Sequence, residues 1–262
     1  MKKVISFSLW GDSKTYTHGA LKNVILAKII YPEWTCRFYI PKENSIMTSD
    51  MNPLTHSEKS NERHITKVPQ DIIDKLQKHG AEIIEINNDG CWYSTFWRYY
   101  AIEDSDIVIF RDCDSRLNYR EKYAVDEWLN SDKKVHIMRD HPWHGVPILA
   151  GMWGLKKGVM DDMKTQIYSM FKMDSSDKNN IGYYQCDQDF LKVHYKYFLK
   201  YALIHSEFIQ AETISKQFPT KRFKNQYVGQ PYDEDNKALI TIDKNMDKAT
   251  ITERFELDHG SS

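Results

Sequence analysis

The feature that most constrains this chain is a long alternation of two sequence patterns. Runs rich in β-branched and apolar residues occupy positions 4–9, 36–40, 82–86, 106–110, 135–138, 148–155 and 202–205. Segments of helical period lie between them. The first begins at Ser13 or Thr17, either of which is a capping residue, carries Leu21, Val24, Ile25 and Ile29 as its apolar stripe, and ends before Pro32. Residues 69–79 form a second, with proline near the start and Gly80 just past the end. Others are the aromatic-rich 94–103, then 119–129, a stretch marked by Met160, Met163, Ile167, Met170 and Phe171, and 185–198. Parallel strands need a long crossover and a helix fills it, so strand–helix alternation predicts an α/β fold with a mostly parallel central sheet flanked by helices. Residues 238–242 read as an edge strand.

The 262 residues suffice for one large domain or two small ones. No internal repeat divides them, and 1–262 reads as a single domain with 206–262 a less regular extension. The stretch 41–68 is polar and without period, as a lid, binding loop or insert would be. Lys plus Arg is 36 against 37 Asp plus Glu, for a net charge of −1, whereas a nucleic-acid binder needs a basic excess. Four cysteines, Cys36, Cys91, Cys113 and Cys186, lack zinc-site spacing and point to a reducing compartment. No apolar run reaches the length of a transmembrane segment. The start MKKVISFSLWGDS imitates a signal peptide but lacks a small-residue cleavage site, so it reads as a buried strand in a cytoplasmic protein.

The most informative string is IVIFRDCDSR, 107–116. Asp112 and Asp114 flank one residue, and side chains two apart in extended backbone share a face. Both carboxylates therefore converge at the carboxyl end of a buried strand, the edge that borders the ligand crevice in open α/β sheets. Their mutual repulsion is relieved by a hard divalent cation, Mn²⁺ or Mg²⁺, which in turn holds a diphosphate. Arg111 and Arg116 flank the motif as phosphate partners. The plainer alternative is a solvated turn that caps the next helix.

The string resembles the DxD signature of GT-A glycosyltransferases. With SFSLWGDSKTYTHGALKN, YREKYAVDEWLNS, HIMRDHPWHGVPILAGMWGLKKG, FPTKR and YVGQPYDEDN, it resembles the small glycosyltransferase domains of large DNA viruses that glycosylate their capsids and of bacterial envelope-sugar clusters. The resemblance implies the GT-A fold, a nucleotide-sugar donor, UDP by analogy, Mn²⁺ or Mg²⁺, and transfer of a hexosyl or deoxyhexosyl group to a glycan hydroxyl. It places Ser8, Trp10 and Gly11 around the nucleotide base. Arg98, with aromatic neighbours at 96, 97, 99 and 100, reads as buried and in need of an anionic partner, so it either holds the nucleotide or pairs with a nearby Asp. Asp114 binds the cation, Asp112 the cation or ribose, and His205 completes the metal shell. Gly151 lets the sugar approach the backbone, and Lys221 with Arg222 grips the diphosphate. The string CDQDFL resembles the DQD-type motif of retaining family-8-like enzymes, which sets Asp187 or Asp189, with Gln188, beside the anomeric carbon and implies retention of configuration.

Other readings stay open at this point. Asp at a helix start is also a cap, a strand-end histidine also bonds backbone, and His141 with His144 lacks a third metal ligand. A haloacid-dehalogenase-like phosphatase also ends a strand in DxD, though near its chain start and before Thr or Val, where this chain has Ser115 and Arg116. A domain that binds glycan or nucleotide sugar without turnover is the third reading.

Overall fold

The computed structural model describes residues 1–42, 46–47, 64–65, 67–87, 91–173 and 182–242. The strands are β1 (Lys3–Ser8), β2 (Thr35–Pro41), β3 (Ile46–Met47), β4 (His64–Ile65), β5 (Glu82–Ile86), β6 (Ile107–Arg111), β7 (Val135–Arg139), β8 (Met152–Lys156), β9 (Ala202–Ser206) and β10 (Ser215–Lys216). The α-helices are α1 (Lys14–Ile30), α2 (Gln70–Lys78), α3 (Tyr119–Leu129), α4 (Met163–Phe171) and α5 (Cys186–Leu199), and a 3₁₀ helix spans Trp92–Glu103.

Eight strands form one sheet in the order β10-β9-β7-β8-β6-β1-β2-β5, and β3 pairs with β4 apart from it. All pairings in the large sheet are parallel except those of β8, which runs antiparallel to both β6 and β7. The expectation of a mostly parallel sheet flanked by helices is met. Most of the polar stretch 41–68 falls outside the described residues, as does the end of the chain past 242.

The period of two along each strand sorts the core into two layers. Val4, Val108 and Phe110 face the 3₁₀ helix, α4 and α5, while Ile5, Phe7, Ile107 and Ile109 face α1, α2 and α3. Both layers are closed to solvent, with Phe7, Phe38, Phe110, Trp128 and Trp153 fully buried. Burying each such side chain is worth about 1.5–3 kcal/mol.

Three local expectations need correction. In α1 the buried residues are Thr17, Gly19, Ala20, Asn23, Val24, Ala27 and Ile30, whereas Ile25 and Ile29 are exposed. At Gly19 the loop after β6 lies against the helix: a Cβ there would sit 2.0 Å from the Cys113 carbonyl. The aromatic segment is a 3₁₀ helix of 12 residues, long for a type that usually lasts three or four. Its three-residue repeat aligns Tyr93, Phe96 and Tyr99, whose rings follow one another at 6.3 and 6.1 Å. Residues 238–242 are not a strand; Ala238 makes a lone bridge to Tyr232, and the sheet edge is β10 instead. Among the described residues no helix is long and apolar enough to cross a membrane.

From β1 the chain moves outward through β2 to β5, then returns to place β6 on the other side of β1. The carboxyl ends of β1 and β6 therefore flank a topological switch point, where crossovers diverge and leave a crevice. Residues 8–11 and 112–114 lie at that opening.

Candidate active site at the switch point

The strand β6 ends at Arg111, and residues 113 and 114 turn. Ser115 Oγ closes the turn by donating to the Asp112 carbonyl at 3.0 Å. Side-chain parity decides the rest. Arg111 points to the α3 layer, where its Nε meets Glu121 Oε1 at 2.7 Å in a pair sealed from water. It is a core residue, and the expectation that it grips phosphate is withdrawn. Asp112 falls on the opposite face, toward the 3₁₀ helix.

There Arg98 links two carboxylates. Its Nη1 donates to Asp112 Oδ1, and its Nη2 donates to Asp187 Oδ2 at 2.7 Å. Burial opposes the guanidinium's charge, yet Asp112 and Asp187 hold its pKa above the ordinary value. Arg98 and Asp187 are nearly buried, while 48% of the Asp112 side chain remains open. Burial raises the Asp187 carboxyl, and Arg98 opposes the rise. The 3₁₀ helix that delivers Arg98 is itself stapled to β1. Ser6 Oγ donates to the Arg98 carbonyl at 2.6 Å, and Ser8 Oγ accepts from Arg98 N–H at 3.0 Å and donates to the Thr95 carbonyl at 3.3 Å. Ser8 therefore positions Arg98; its hydroxyl is engaged within the protein. Trp10 is half-buried just past it.

Asp114 accepts no hydrogen bond from another side chain among the described residues. Burial, then the neighbouring Asp112, pushes its carboxyl up to about 7. The two acids thus sense each other although the backbone between them turns. Arg116 opposes that rise but pairs with neither acid among the described residues. Its Nη1 caps the carbonyls of Cys113, Asp114 and Ser115 at 3.3, 3.0 and 3.1 Å, which fixes the loop's shape. Asn23 of α1 holds the same loop, donating to the Ser115 carbonyl at 2.8 Å and accepting from Leu117 N–H at 3.1 Å.

Gly151 closes the crevice opposite Asp112. A Cβ there would fall 1.9 Å from Asp112 Oδ2, so only glycine leaves the carboxylate its place. Next to it, Gln188 Oε1 accepts from Ala150 N–H and ties α5 to this turn. Asp112, Arg98, Asp187, Gly151 and Gln188 form one constellation.

Four residues expected at the site lie elsewhere. Asp189 is exposed and accepts from the Tyr183 hydroxyl at 2.8 Å, because neighbours on a helix point in different directions. His205 is removed from the metal set: its Nδ1 meets His136 Nε2 at 2.8 Å and its Nε2 meets Glu127 Oε2 at 3.0 Å, so neither nitrogen is left for a cation. Arg222 donates to Asp140 Oδ1 at 3.0 Å, in a buried hub where Arg120 also grips both Asp140 oxygens. Lys221 is exposed and touches none of the acids. His141 and His144 pack on Tyr227, with ring centroids at 4.6 and 5.6 Å from it, and on each other at 5.6 Å, while their Nδ1 atoms accept from Trp143 N–H and Asp140 N–H at 3.1 and 3.0 Å. Burial holds His144 neutral, its pKa down at about 3.

Sequence reasoning missed three contributors. Asn23 and Gly19 shape the acidic loop, and a buried amide on a helix face was the readable sign of the first. Tyr16, one turn earlier, has its phenol pKa raised by burial and then by the charges of Asp114 and Asp112.

A divalent cation fits these residues. The Asp112–Asp114 pair offers hard oxygen donors, one half-exposed and one whose ionisation the other opposes. Among the described residues no group of three His, Cys, Asp or Glu side chains completes a cage. Mg²⁺ or Mn²⁺ held by two carboxylates completes its shell with water and substrate phosphates.

No model of a protein family matches the chain, and no curated protein matches it. Among solved structures the chain is similar to a glycosyltransferase involved in the glycosylation of the major capsid of PBCV-1, with TM-score 0.41 and 13% identity, over 80% of this chain and 86% of that one. It is similar to glucosyl-3-phosphoglycerate synthase from Mycobacterium tuberculosis in complex with Mn²⁺, UDP and phosphoglyceric acid, with TM-score 0.43 and 10% identity, over 84% and 71% of the two chains. A third is the galactosyltransferase LgtC in complex with donor and acceptor sugar analogs, with TM-score 0.41 and 12% identity, over 80% and 76%.

Proposed function

We propose that this chain is a metal-dependent glycosyltransferase that moves a hexosyl or deoxyhexosyl group from a UDP-sugar to a glycan hydroxyl with retention of configuration. The observation that carries the reading is the constellation at the switch point. Arg98 joins Asp112 to a buried Asp187, and Asp114, whose carboxyl burial and Asp112 push up, forms no ion pair among the described residues. Such a switch-point crevice is where open α/β sheets take phosphate-bearing ligands.

In this reading Asp112 and Asp114 hold Mn²⁺ or Mg²⁺. The bound ion supplies positive charge against which a diphosphate departs. Arg98 keeps Asp112 aimed into the crevice, and Trp10 lies where a base would stack. Asp187 lies on the donor-sugar side, where a carboxylate stabilises the oxocarbenium-like centre as the sugar–phosphate bond breaks. Gly151 gives the sugar room against the backbone. Residues 1–262 act as one catalytic domain, and the buried free thiols of Cys36, Cys113 and Cys186 suit a reducing cytoplasm.

Calorimetric titration with UDP tests this. The wild-type chain is expected to bind UDP with Mn²⁺ and far more weakly without it, and Asp114→Ala is expected to lose the Mn²⁺-dependent part while its circular dichroism is unchanged. Equal binding by both proteins rejects the reading. Brisk turnover of an aryl phosphate would favour a phosphatase instead.

A further inference from the structure

Past the acidic loop, residues 224–241 fold over themselves and leave a groove of about 450 Å³. That size lies in the range of small-molecule sites, roughly 300–1,000 Å³. Its polar lining is dominated by four side-chain amides, Asn225, Gln226, Gln230 and Asn236, with the Tyr232 and Thr241 hydroxyls. The exposed amides of Asn225 and Gln226 each offer a donor and an acceptor about one carbon apart, which is what vicinal hydroxyls demand. Among the described residues no carboxylate lines it, and the one cation there, Lys224, has its ammonium 5.3 Å from the Phe223 ring centroid. A phosphate or nucleotide ligand would find little to neutralise it.

The groove is prepared rather than loose. Gln230 is buried, with its Nε2 donating to the Ile240 carbonyl at 2.8 Å and its Oε1 accepting from the Tyr232 hydroxyl at 2.9 Å. Lys224 and Asn236 hold left-handed backbone, φ 56° and 63°, a cost that non-glycine residues concentrate at functional sites.

It is also joined to the acidic loop. Tyr232 N–H donates to the Asp114 carbonyl at 2.9 Å, and Ser115 bridges Pro231. Arg116, which caps the loop carbonyls with Nη1, reaches the other way with Nε to Asn236 Oδ1 at 3.2 Å and lies 5.3 Å over the Tyr232 ring. One side chain thus sets the spacing between the two places.

We infer that this groove binds an uncharged sugar, the hydroxyl acceptor of the transfer proposed above. The sugar's identity as acceptor rests on that proposal; its binding does not.

Saturation-transfer NMR on the full chain tests it, with glucose, galactose, mannose, xylose and glucose 6-phosphate as probes, with and without UDP and Mn²⁺. At least one neutral sugar is expected to receive saturation. A double variant, Asn225→Ala with Gln226→Ala, alters only exposed side chains and is expected to weaken that sugar about tenfold, as loss of two hydrogen-bonding groups does. UDP affinity in Mn²⁺ is expected to stay within about twofold. Silence from every neutral sugar under both conditions overturns the inference, as does an undiminished signal in the variant or a preference for glucose 6-phosphate. Absent UDP binding with the sugar result intact counts against the transferase reading alone.

Discussion

Two buried arginine pairs sit back to back across β6, and they are opposite in use. Arg111 and Glu121 are sealed, each 2% exposed, and they hold α3 to the sheet. Arg98 is as buried, but its partner Asp112 is 48% open and its second partner Asp187 lies at a helix start. The chemistry of the two pairs is the same. What differs is that one carboxylate looks into a crevice and can meet a ligand. An ion pair enclosed on every side serves the fold, whereas one left open on a single side serves the site.

The comparison can be broken from either pair. The largest effect is expected at the sealed one. Glu121→Ala strands a buried guanidinium, and denaturant titration should show about 3–5 kcal/mol lost. Gly151→Ala acts on the open pair. Its methyl must displace the Asp112 carboxylate, and a misplacement of that size costs about a hundredfold in turnover with little change in Tm. A UDP-sugar assay alongside thermal unfolding checks both halves.

A third test uses pH. The folded chain holds the Asp114 carboxyl up at about 7 against an ordinary 3.8, so between those values the native state keeps a proton that the unfolded chain has released. Stability of the metal-free protein therefore falls as pH rises through that window, and it is flat above it. Asp114→Asn removes the penalty. Its Tm should exceed the wild type's by a few degrees at pH 8 and match it near pH 4. The smallest effect belongs to Asp189→Asn, which alters only an exposed hydrogen bond to Tyr183. Activity should stay within about twofold, in contrast to Asp187→Asn.

Much of this was legible before any coordinates. The strand runs fell within a few residues of their observed bounds, and the 119–129 helix matched α3 end to end. Asp112 and Asp114 announced themselves by spacing behind an apolar strand. The misreadings have physical causes. Ile25 and Ile29 look like a core stripe, but α1 turns a neighbouring face inward, where Gly19 lets the loop after β6 pack close. His205 stands near a strand end, as a ligand should, yet both its nitrogens meet protein partners and its strand lies three places along the sheet from β6. Of Asp187 and Asp189, nothing local could choose, since both suit the first turn of a helix.

By itself the sequence determined the alternation of elements, the parity of each strand and the presence of two acids at a strand's end, because these depend on neighbours a few residues apart. The tertiary structure alone decided that Arg98 reaches both Asp112 and Asp187, that Gly151 must be glycine, and that Arg116 spans from the acidic loop to Asn236. Those pairings join residues 14, 89, 39 and 120 positions apart, if counted from Arg98 to Asp112 and Asp187, from Asp112 to Gly151, and from Arg116 to Asn236. Only the order of strands in the sheet brings such distant residues within reach of one another.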